Sequence, residues 1–156
     1  MCGLSVRLRR IQSVSMGIRD SSIPVRVVLA KCGLDAHERG VHVIAMGLRE
    51  AGFEIIYLGL RRSPEEIVAA AIQEDAEAVG LSSLSGAHSR FVPRVAAVLE
   101  REQYRPVLVV GGVIPDADIP ELLQQGVDRV YGPGSTVAEI ARDLTELVRR
   151  RRQVNA

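Results

Sequence analysis

An acid and a histidine lie two residues apart in a polar loop that follows an apolar stretch. The loop reads Asp35-Ala36-His37, and Gly40 comes three residues later. A carboxylate at this spacing can accept a proton from one ring nitrogen of the imidazole, which leaves the other nitrogen free to bind a metal. A single histidine in a polar loop is more often simply solvated, so these residues alone leave both interpretations open.

Two further segments with candidate site residues follow apolar stretches later in the chain. In Ser82-Ser83-Leu84-Ser85-Gly86-Ala87-His88, the hydroxyls either cap a helix or contact a ligand. Gly111-Gly112 allows either a tight turn or a close approach of the backbone to a ligand. On the second interpretation, we expect Gly112→Leu to block a ligand slot while the chain still folds. Gly132-Pro133-Gly134-Ser135 lacks the lysine and spacing of a phosphate-binding loop, and we interpret it as a turn.

The composition describes one ordinary globular domain. The chain has 156 residues, of which 47% are hydrophobic and 25% are charged, so a single core suffices. A net charge of +1 and only 3% aromatic residues argue against nucleic-acid binding. The two cysteines make no disulfide framework and fit a reducing cytoplasm. No apolar run approaches the roughly 18 residues that span a bilayer, so we expect no membrane partner.

The two ends of the chain differ in composition from the middle. Residues 1–23 are rich in arginine and serine and have no acid before Asp20, so we expect a disordered extension. An acid-poor start of this kind is also typical of an organellar transit peptide, so organellar import and a later start at Met16 stay open beside a cytoplasmic location. Residues 24–150 are predicted to form the domain, and residues 151–156 a basic, solvated tail after the last helix.

Extended and helical patterns alternate through the domain. Five apolar stretches are typical of strands, and apolar residues at helical spacing follow each of them. Ser63-Pro64-Glu65-Glu66 has the residues of a capping box at the start of the second helix. The predicted strands are Val25–Ala30, Phe53–Leu58, Ala78–Leu81, Pro106–Val110 and Val127–Tyr131.

This alternation predicts an α/β fold. Parallel strands need crossover helices, and the helices cover both faces of the sheet. Five units are too few for a closed barrel, so we expect a flavodoxin-like, doubly wound, five-stranded parallel sheet of the Rossmann-like type in the order 2-1-3-4-5. Ligands of such sheets bind beyond the carboxyl ends of the strands. The polar and glycine-rich segments described above should therefore converge on one crevice.

The motifs together resemble a known family. Asp35-x-His37-x-x-Gly40, Ser82-x-Leu84 and Gly111-Gly112 match, in order, the signature of corrinoid proteins in which a histidine displaces the cofactor's own base. The resemblance covers Val25–Val148 and is greatest to the small, separate cobalamin-binding subunit of acyl-CoA mutases of the methylmalonyl-CoA and isobutyryl-CoA type. The segments that carry this closer resemblance are Lys31-Cys32-Gly33-Leu34-Asp35, Ala71-Ile72-Gln73-Glu74-Asp75-Ala76, Ser85-Gly86-Ala87-His88, Gly111-Gly112-Val113-Ile114-Pro115 and Gly132-Pro133-Gly134.

The resemblance implies adenosylcobalamin as the cofactor. It implies that His37 is the axial cobalt ligand, that Asp35 accepts the other ring proton, and that Lys31 steadies Asp35. On this basis we expect His37→Ala to remove cobalt ligation and Asp35→Asn to act more mildly. The displaced nucleotide tail would lie in a slot between the sheet and the helices. The full set of implied cofactor-binding residues is Lys31, Asp35, His37, Gly40, Ser82, Leu84, Gly111 and Gly112.

The resemblance also implies an isomerase that is inactive alone. A chain of this length leaves no room for an acyl-CoA-binding barrel, so we expect a large substrate-binding mutase subunit as partner, with the acyl-CoA at the shared interface. Methylmalonyl-CoA, isobutyryl-CoA and 2-hydroxyisobutyryl-CoA are all admissible substrates. The family usually has glycine where Ala36 stands. If that position requires a positive φ, alanine costs about 1 kcal/mol there.

Other functions share parts of this pattern. A corrinoid methyl-carrier protein or a cobalamin-dependent sensor has the same signature, but normally carries a helical domain ahead of the fold. A response-regulator receiver has the same fold, but needs an acid at the end of the third strand, where Ser82 and Ser83 stand. A zinc site of His37, His42 and His88 is disfavoured because the first two, five residues apart, do not share a helical face.

Overall fold

The computed structural model describes residues 23–156, so the extension predicted for residues 1–23 lies, except for Ile23, outside the described residues. Five strands alternate with five helices, and a short 3-10 turn, Asp116–Asp118, precedes the fourth helix. The strands are β1 (Arg26–Lys31), β2 (Glu54–Tyr57), β3 (Ala78–Ser83), β4 (Val107–Gly112) and β5 (Arg129–Tyr131). The helices are α1 (Arg39–Glu50), α2 (Pro64–Gln73), α3 (His88–Arg101), α4 (Ile119–Gln124) and α5 (Val137–Asn155).

The strands form one parallel sheet in the order β2-β1-β3-β4-β5, which confirms the predicted fold. Side chains alternate between its two faces, so each face has its own apolar core. Helices α2, α3 and α4 pack on one face, against residues such as Val28 and Val79. Helices α1 and α5 pack on the other, against residues such as Val27 and Val109. Among the helices of residues 23–156, none is both long and apolar enough to cross a membrane.

Three strands run further than the apolar pattern predicts. The pattern ends at Ala30, Leu81 and Val110, whereas β1, β3 and β4 end one or two residues later. In the sheet register, Ser82 lies between Lys31 on β1 and Gly111 on β4. Polar and glycine residues interrupt a hydrophobic pattern but still make backbone ladder bonds. The predicted site residues Lys31, Ser82, Gly111 and Gly112 therefore lie within strands and not in loops. The sheet fixes the direction in which each of them points.

Two helices begin with capping boxes. Ser63 Oγ accepts a hydrogen bond from the Glu66 backbone N–H at 3.1 Å, and the Ser63 N–H donates to Glu66 Oε2 at 2.7 Å. This pair confirms the box predicted for α2 and satisfies two N–H groups that the helix leaves without a partner. Thr136 and Glu139 form the same arrangement at the start of α5.

Helix α5 continues through Asn155, so residues 151–155, predicted to belong to a solvated tail, are helical. Nε and Nη2 of Arg152 donate to Oε1 and Oε2 of Glu77, at 2.6 and 2.8 Å. Arg151 contacts Asp128 at 2.7 Å and donates to the backbone oxygen of Pro106 at 3.1 Å. The run of positive charge is thus partly neutralised by acids from distant segments, which a local charge pattern does not reveal.

Candidate functional site

The carboxylate of Asp35 is the centre of a hydrogen-bond network at the carboxyl ends of β1 and β3. Its Oδ1 lies 2.9 Å from Nδ1 of His37 and accepts the His37 backbone N–H at 3.0 Å. Its Oδ2 accepts the backbone N–H of Leu84 at 2.7 Å and lies 3.0 Å from Nζ of Lys31. Both carboxylate oxygens are therefore used twice. Contacts from β1, from the loop after β1 and from Leu84, directly after β3, together fix the orientation of the carboxylate.

Lys31 and Asp35 form a fully buried ion pair. Removing such charges from water costs several kcal/mol per ion unless an opposite charge and hydrogen bonds compensate. Lys31 Nζ gains a second contact because it donates to Ser82 Oγ at 3.1 Å. Since an ammonium group only donates, the Ser82 oxygen is the acceptor, and the Ser82 hydroxyl proton stays available for another acceptor.

This environment keeps Asp35 ionised. Burial alone raises the pKa of a carboxyl group because it penalises the charged form. The backbone N–H groups of His37 and Leu84, followed by the Lys31 and His37 side chains, outweigh that effect and hold the pKa of Asp35 well below its usual range. The carboxylate can therefore support a neutral or a charged imidazole at any physiological pH.

The imidazole of His37 is exposed and has one nitrogen to spare. Its side chain is 72% exposed, and Asp35 engages Nδ1. When Nδ1 donates its proton to Asp35, Nε2 carries a lone pair and is a competent metal ligand. The donor set thus fits a metal that needs one protein ligand.

The structure does not support the zinc alternative. Within the described part of the chain, no group of three or more histidine, cysteine, aspartate and glutamate side chains could hold a metal ion. His88 is buried, and its Nε2 lies 2.8 Å from Oδ2 of Asp118. His42 packs against Tyr57. A zinc site of the three histidines is therefore wrong.

A cavity of about 450 Å³ lies between the sheet and helices α1 and α5. Its volume is within the range of small-molecule sites, and its lining is mainly apolar. Of the predicted cofactor-binding residues, Gly40, Ser82, Leu84, Gly111 and Gly112 line it, whereas Lys31, Asp35 and His37 do not. Because Lys31 bonds directly to Ser82, the Asp35 network adjoins the cavity. The remaining lining residues are Leu29, Val41, Val43, Ile44, Leu48, Gly80, Leu81, Val109, Val113, Tyr131, Gly132, Pro133, Ser135, Val137, Ile140 and Leu144.

Sequence reasoning missed Gly80 and the segment after β5. Gly80 lies in the middle of β3, and a Cβ there would lie 2.5 Å from Cδ2 of Leu29, so a larger residue would require the Leu29 side chain to move. An isolated glycine inside an apolar strand was the available signal. Gly132, Pro133 and Ser135 do make a turn, closed by a 3.1 Å bond from the Ser135 N–H to the Gly132 oxygen, but they also line the cavity.

The two adjacent glycines at the end of β4 differ in what they permit. Gly112 has a φ of +123°, and a Cβ there would collide with the backbone oxygen of Ser83. The same oxygen accepts the Val113 N–H at 3.0 Å, so Gly112 is needed for the pairing of β3 with β4. This geometry argues against the expectation that Gly112→Leu leaves the fold intact. A Cβ on Gly111 would make only ordinary contacts, the nearest at 3.8 Å from the Tyr131 oxygen.

Ala36 is not strained. Among described residues other than glycine, a positive φ occurs at Arg61, Asp75 and Gln103. Because Ala36 is not one of them, the backbone at this position is open to any residue, and the conditional penalty of about 1 kcal/mol does not arise. The departure from the usual glycine thus leaves the geometry of the Asp35–His37 loop intact.

A family model described as the B12 binding domain matches residues 25–142. The chain is 38% identical to the pivalyl-CoA mutase small subunit of Xanthobacter autotrophicus, over 80% of this chain and 84% of that protein. It is 43% identical to the 2-hydroxyisobutanoyl-CoA mutase small subunit of Aquincola tertiaricarbonis, over 69% of this chain and 79% of that protein. It is 39% identical to the methylmalonyl-CoA mutase large subunit of Porphyromonas gingivalis, over 79% of this chain but only 17% of that protein.

Solved structures with the same fold include cobalamin-binding and signalling proteins. A cobalamin-binding protein from Desulfitobacterium hafniense matches with a TM-score of 0.69 and 22% identity, over 79% of this chain and 58% of that one. The signal receiver domain of the response regulator NarL from Mycobacterium tuberculosis matches with a TM-score of 0.63 and 17% identity, over 81% of this chain and 97% of that one. At these identities, the likeness shows the fold alone.

Proposed function

The chain belongs to the B12-binding domain family, and from that premise we propose that it is the cobalamin-binding small subunit of an adenosylcobalamin-dependent acyl-CoA mutase, an isomerase that rearranges a carbon skeleton. One observation carries the proposal. The Asp35 carboxylate holds His37 on one oxygen and the buried Lys31 on the other, directly beside an apolar cavity. The similarity to two mutase small subunits over most of their length supports it.

In the proposed function, His37 binds cobalt through Nε2. Asp35 accepts a hydrogen bond from Nδ1–H, which fixes the tautomer and makes Nε2 more basic. Lys31 keeps the Asp35 carboxylate charged and in place. When bound, adenosylcobalamin supplies the cobalt–carbon bond whose homolysis begins the rearrangement. The chain's own part is to orient the cofactor and to hold the proton on Nδ1.

The cavity between the sheet and helices α1 and α5 would hold the displaced nucleotide tail. Ser82 has a hydroxyl proton to donate because its oxygen already accepts from Lys31. Gly111 leaves room on the sheet side, and Leu84 provides an apolar contact at the opening. Gly40, the second residue of α1, lines the same cavity, and an added Cβ there would have nothing within 4 Å.

The second part of the proposal is a large, substrate-binding mutase subunit as partner. Leu34, Leu84 and Val113 follow three neighbouring strands, and their exposed fractions are 84%, 40% and 53%. They form an apolar rim that the cofactor and an acyl-CoA-binding barrel would cover, with the acyl-CoA at the shared interface. Methylmalonyl-CoA, isobutyryl-CoA and 2-hydroxyisobutyryl-CoA remain the candidate substrates. The cytoplasmic location stays a prediction.

The visible spectrum of the protein mixed with adenosylcobalamin tests this function. Displacement of the benzimidazole from cobalt changes the spectrum directly, so we expect a base-off spectrum with the wild-type chain. His37→Ala should weaken binding or leave the cofactor base-on, and because the ring is 72% exposed, it should leave the thermal midpoint nearly unchanged. An identical spectrum for the wild type and His37→Ala would overturn the assignment of His37 as the cobalt ligand.

A further inference from the structure

Tyr57, the last residue of β2, reaches the segment between His37 and α1. Its hydroxyl donates to Oε1 of Glu38 at 2.7 Å, and Glu38 directly follows His37. One turn into α1, His42 places Nε2 3.7 Å from the same Oε1. The rings of His42 and Tyr57 meet edge to face, with centroids 4.9 Å apart. We call Tyr57, Glu38 and His42 the Tyr57 cluster.

The position of Glu38 makes this contact unusual. Glu38 is the N-cap residue of α1, yet its side chain makes no capping hydrogen bond. A carboxylate at a helix start commonly accepts backbone N–H groups of the first turn. Here it bonds instead to a residue on the neighbouring strand. Burial, and after it the hydrogen bond and charge of Glu38, raise the pKa of Tyr57, so the hydroxyl stays a donor throughout the physiological range.

The His37 ring itself has few restraints. Its side chain is mostly exposed, and the contact that orients it is the bond from Nδ1 to Asp35. Asp35 also holds the backbone N–H of His37, so the loop is fixed on its N-terminal side. On the other side, the chain passes at once into Glu38, which the Tyr57 hydroxyl ties to β2. The segment around His37 is thus held directly by Asp35 on one side and through the Glu38 side chain on the other.

We propose that Tyr57 is a positioning residue that acts through Glu38 to set the direction of His37 Nε2. Holding the loop before the metal arrives reduces the ordering that binding would otherwise require. The inference rests on the proposed function, because it assumes that His37 binds cobalt. It goes beyond that function because Tyr57 is not among the residues that line the cavity, and would act on cobalt binding through Glu38 from the neighbouring strand.

The test is a titration of the full chain with adenosylcobalamin, followed by the visible spectrum. Tyr57→Phe keeps the ring contact with His42 and loses only the hydroxyl. We expect it to weaken cofactor binding about three- to tenfold, the range expected for one hydrogen bond, and to lower the base-off fraction at a fixed concentration of cofactor. Glu38→Gln still offers an oxygen to Tyr57 and should bind nearly as well as the wild type. In a Glu38→Ala background, Tyr57→Phe should cause no further loss, because both changes remove the same hydrogen bond between Tyr57 and Glu38.

Tyr104→Phe is the matched control. The Tyr104 hydroxyl donates to the backbone oxygens of Ala71 and Ala76, ahead of β3 and away from the site. We expect this variant to lose thermal stability but to keep wild-type cofactor affinity and spectrum. If Tyr57→Phe keeps wild-type affinity and spectrum, whether or not it loses thermal stability as the control does, Tyr57 is not a positioning residue. That result would leave the proposed function standing. A wild-type chain that leaves the cofactor base-on would overturn the proposed function and this inference with it.

Discussion

Nζ of Lys31 lies 3.0 Å from Oδ2 of Asp35, and both side chains are fully buried beneath the exposed His37. The charge that supports the candidate metal ligand is therefore shielded from water and salt. Removing one partner of a buried pair leaves the other charge without compensation, and this cost falls on folding as well as on cofactor binding. Asp35 and His37 belong to one motif, but their substitution should thus affect the stability of the protein very differently.

Asp35→Asn should lower the free energy of unfolding of the cofactor-free protein by about 3–5 kcal/mol, because it leaves the Lys31 charge buried and unpaired. His37→Ala should lower it by less than about 0.5 kcal/mol, since it changes an exposed side chain. Urea unfolding of the two variants measures both values. For unfolding free energy, Asp35→Asn should thus be the more severe change, whereas for cobalt ligation it is expected to be the milder one.

The double variant Lys31→Met/Asp35→Asn is the control for the buried charge. It removes both charges and keeps a side chain of similar length at position 31, so it should regain more than half of the stability that Asp35→Asn loses. If Asp35→Asn alone is as stable as the wild type, the ion pair does not contribute as its burial indicates.

The Asp35 network also predicts a pH dependence. Because the folded protein holds the pKa of Asp35 below its ordinary value of 3.8, ionised Asp35 stabilises the fold above about pH 4. This contribution is lost as the pH falls from 3.8 towards the depressed folded value. The free energy of unfolding should therefore fall more steeply below pH 4 in the wild type than in Lys31→Met/Asp35→Asn. Parallel urea titrations at several pH values measure the difference, and equal slopes would contradict it.

Gly111 and Gly112 should separate cofactor binding from folding. Gly111→Val places a β-branched side chain on the cavity side of β4 with little steric conflict, so we expect at least about tenfold weaker cobalamin binding and a loss of unfolding free energy below about 1 kcal/mol. Gly112→Ala collides with the Ser83 backbone at a positive φ and should cost about 1–3 kcal/mol of stability. Cofactor titration beside thermal unfolding tests the pair. If Gly111→Val binds cobalamin with wild-type affinity, the nucleotide tail does not occupy this cavity.

Ala36→Gly should not improve the site. Since Ala36 has no positive φ, glycine gains nothing in the folded state and adds freedom to the unfolded chain. We expect a loss of about 0.4–1 kcal/mol in unfolding free energy and an unchanged cofactor spectrum. Thermal unfolding with and without adenosylcobalamin is the measurement, and a gain in stability would show that the alanine is strained.

The proposed partner can be tested by reconstitution. This chain alone should not rearrange any acyl-CoA, whereas a mixture with a separate large mutase subunit and adenosylcobalamin should, with activity that saturates as the small chain is added. Each chain is assayed alone and together on methylmalonyl-CoA, isobutyryl-CoA and 2-hydroxyisobutyryl-CoA. Turnover by the isolated chain would refute the two-subunit proposal. Methyl transfer from bound methylcobalamin to an acceptor protein would favour the corrinoid carrier instead.

Much of the fold follows from the sequence because its signals are local. Five apolar stretches alternate with segments whose apolar residues recur at helical spacing, and this alternation predicts the five strands and the order of the sheet. Ser63 and Glu66 mark the start of α2. The strand ends at Lys31 and Ser83 do not follow, because pairing across the sheet, and not local polarity, decides where a strand ends. Contacts of residues far apart in the chain are equally invisible to a local pattern.

The candidate site divides in the same way. The spacing of Asp35 and His37 predicts their contact, which the structure shows at 2.9 Å. Two features depend on how β1, β3 and β4 pair, so the sequence alone does not show them. They are the burial of Lys31 and the steric clash that a side chain at Gly112 would make with the Ser83 backbone. Tyr57 was missed because its partner, Glu38, lies 19 residues earlier in the chain.

The contacts of Arg151 and Arg152 with Asp128 and Glu77 fix the end of α5 beside the residues that precede β3 and β5. Pro24 and Val25, which lead into β1, lie at the same end of the sheet, where the strands begin. Both points therefore lie at the amino ends of the strands, opposite the carboxyl end of β1, after which Asp35 and His37 follow. A domain connected in this way can be free-standing or joined to a longer polypeptide without any change at its ligand-facing edge. The same architecture can thus serve both in small subunits and as a 17% segment of a much longer mutase chain.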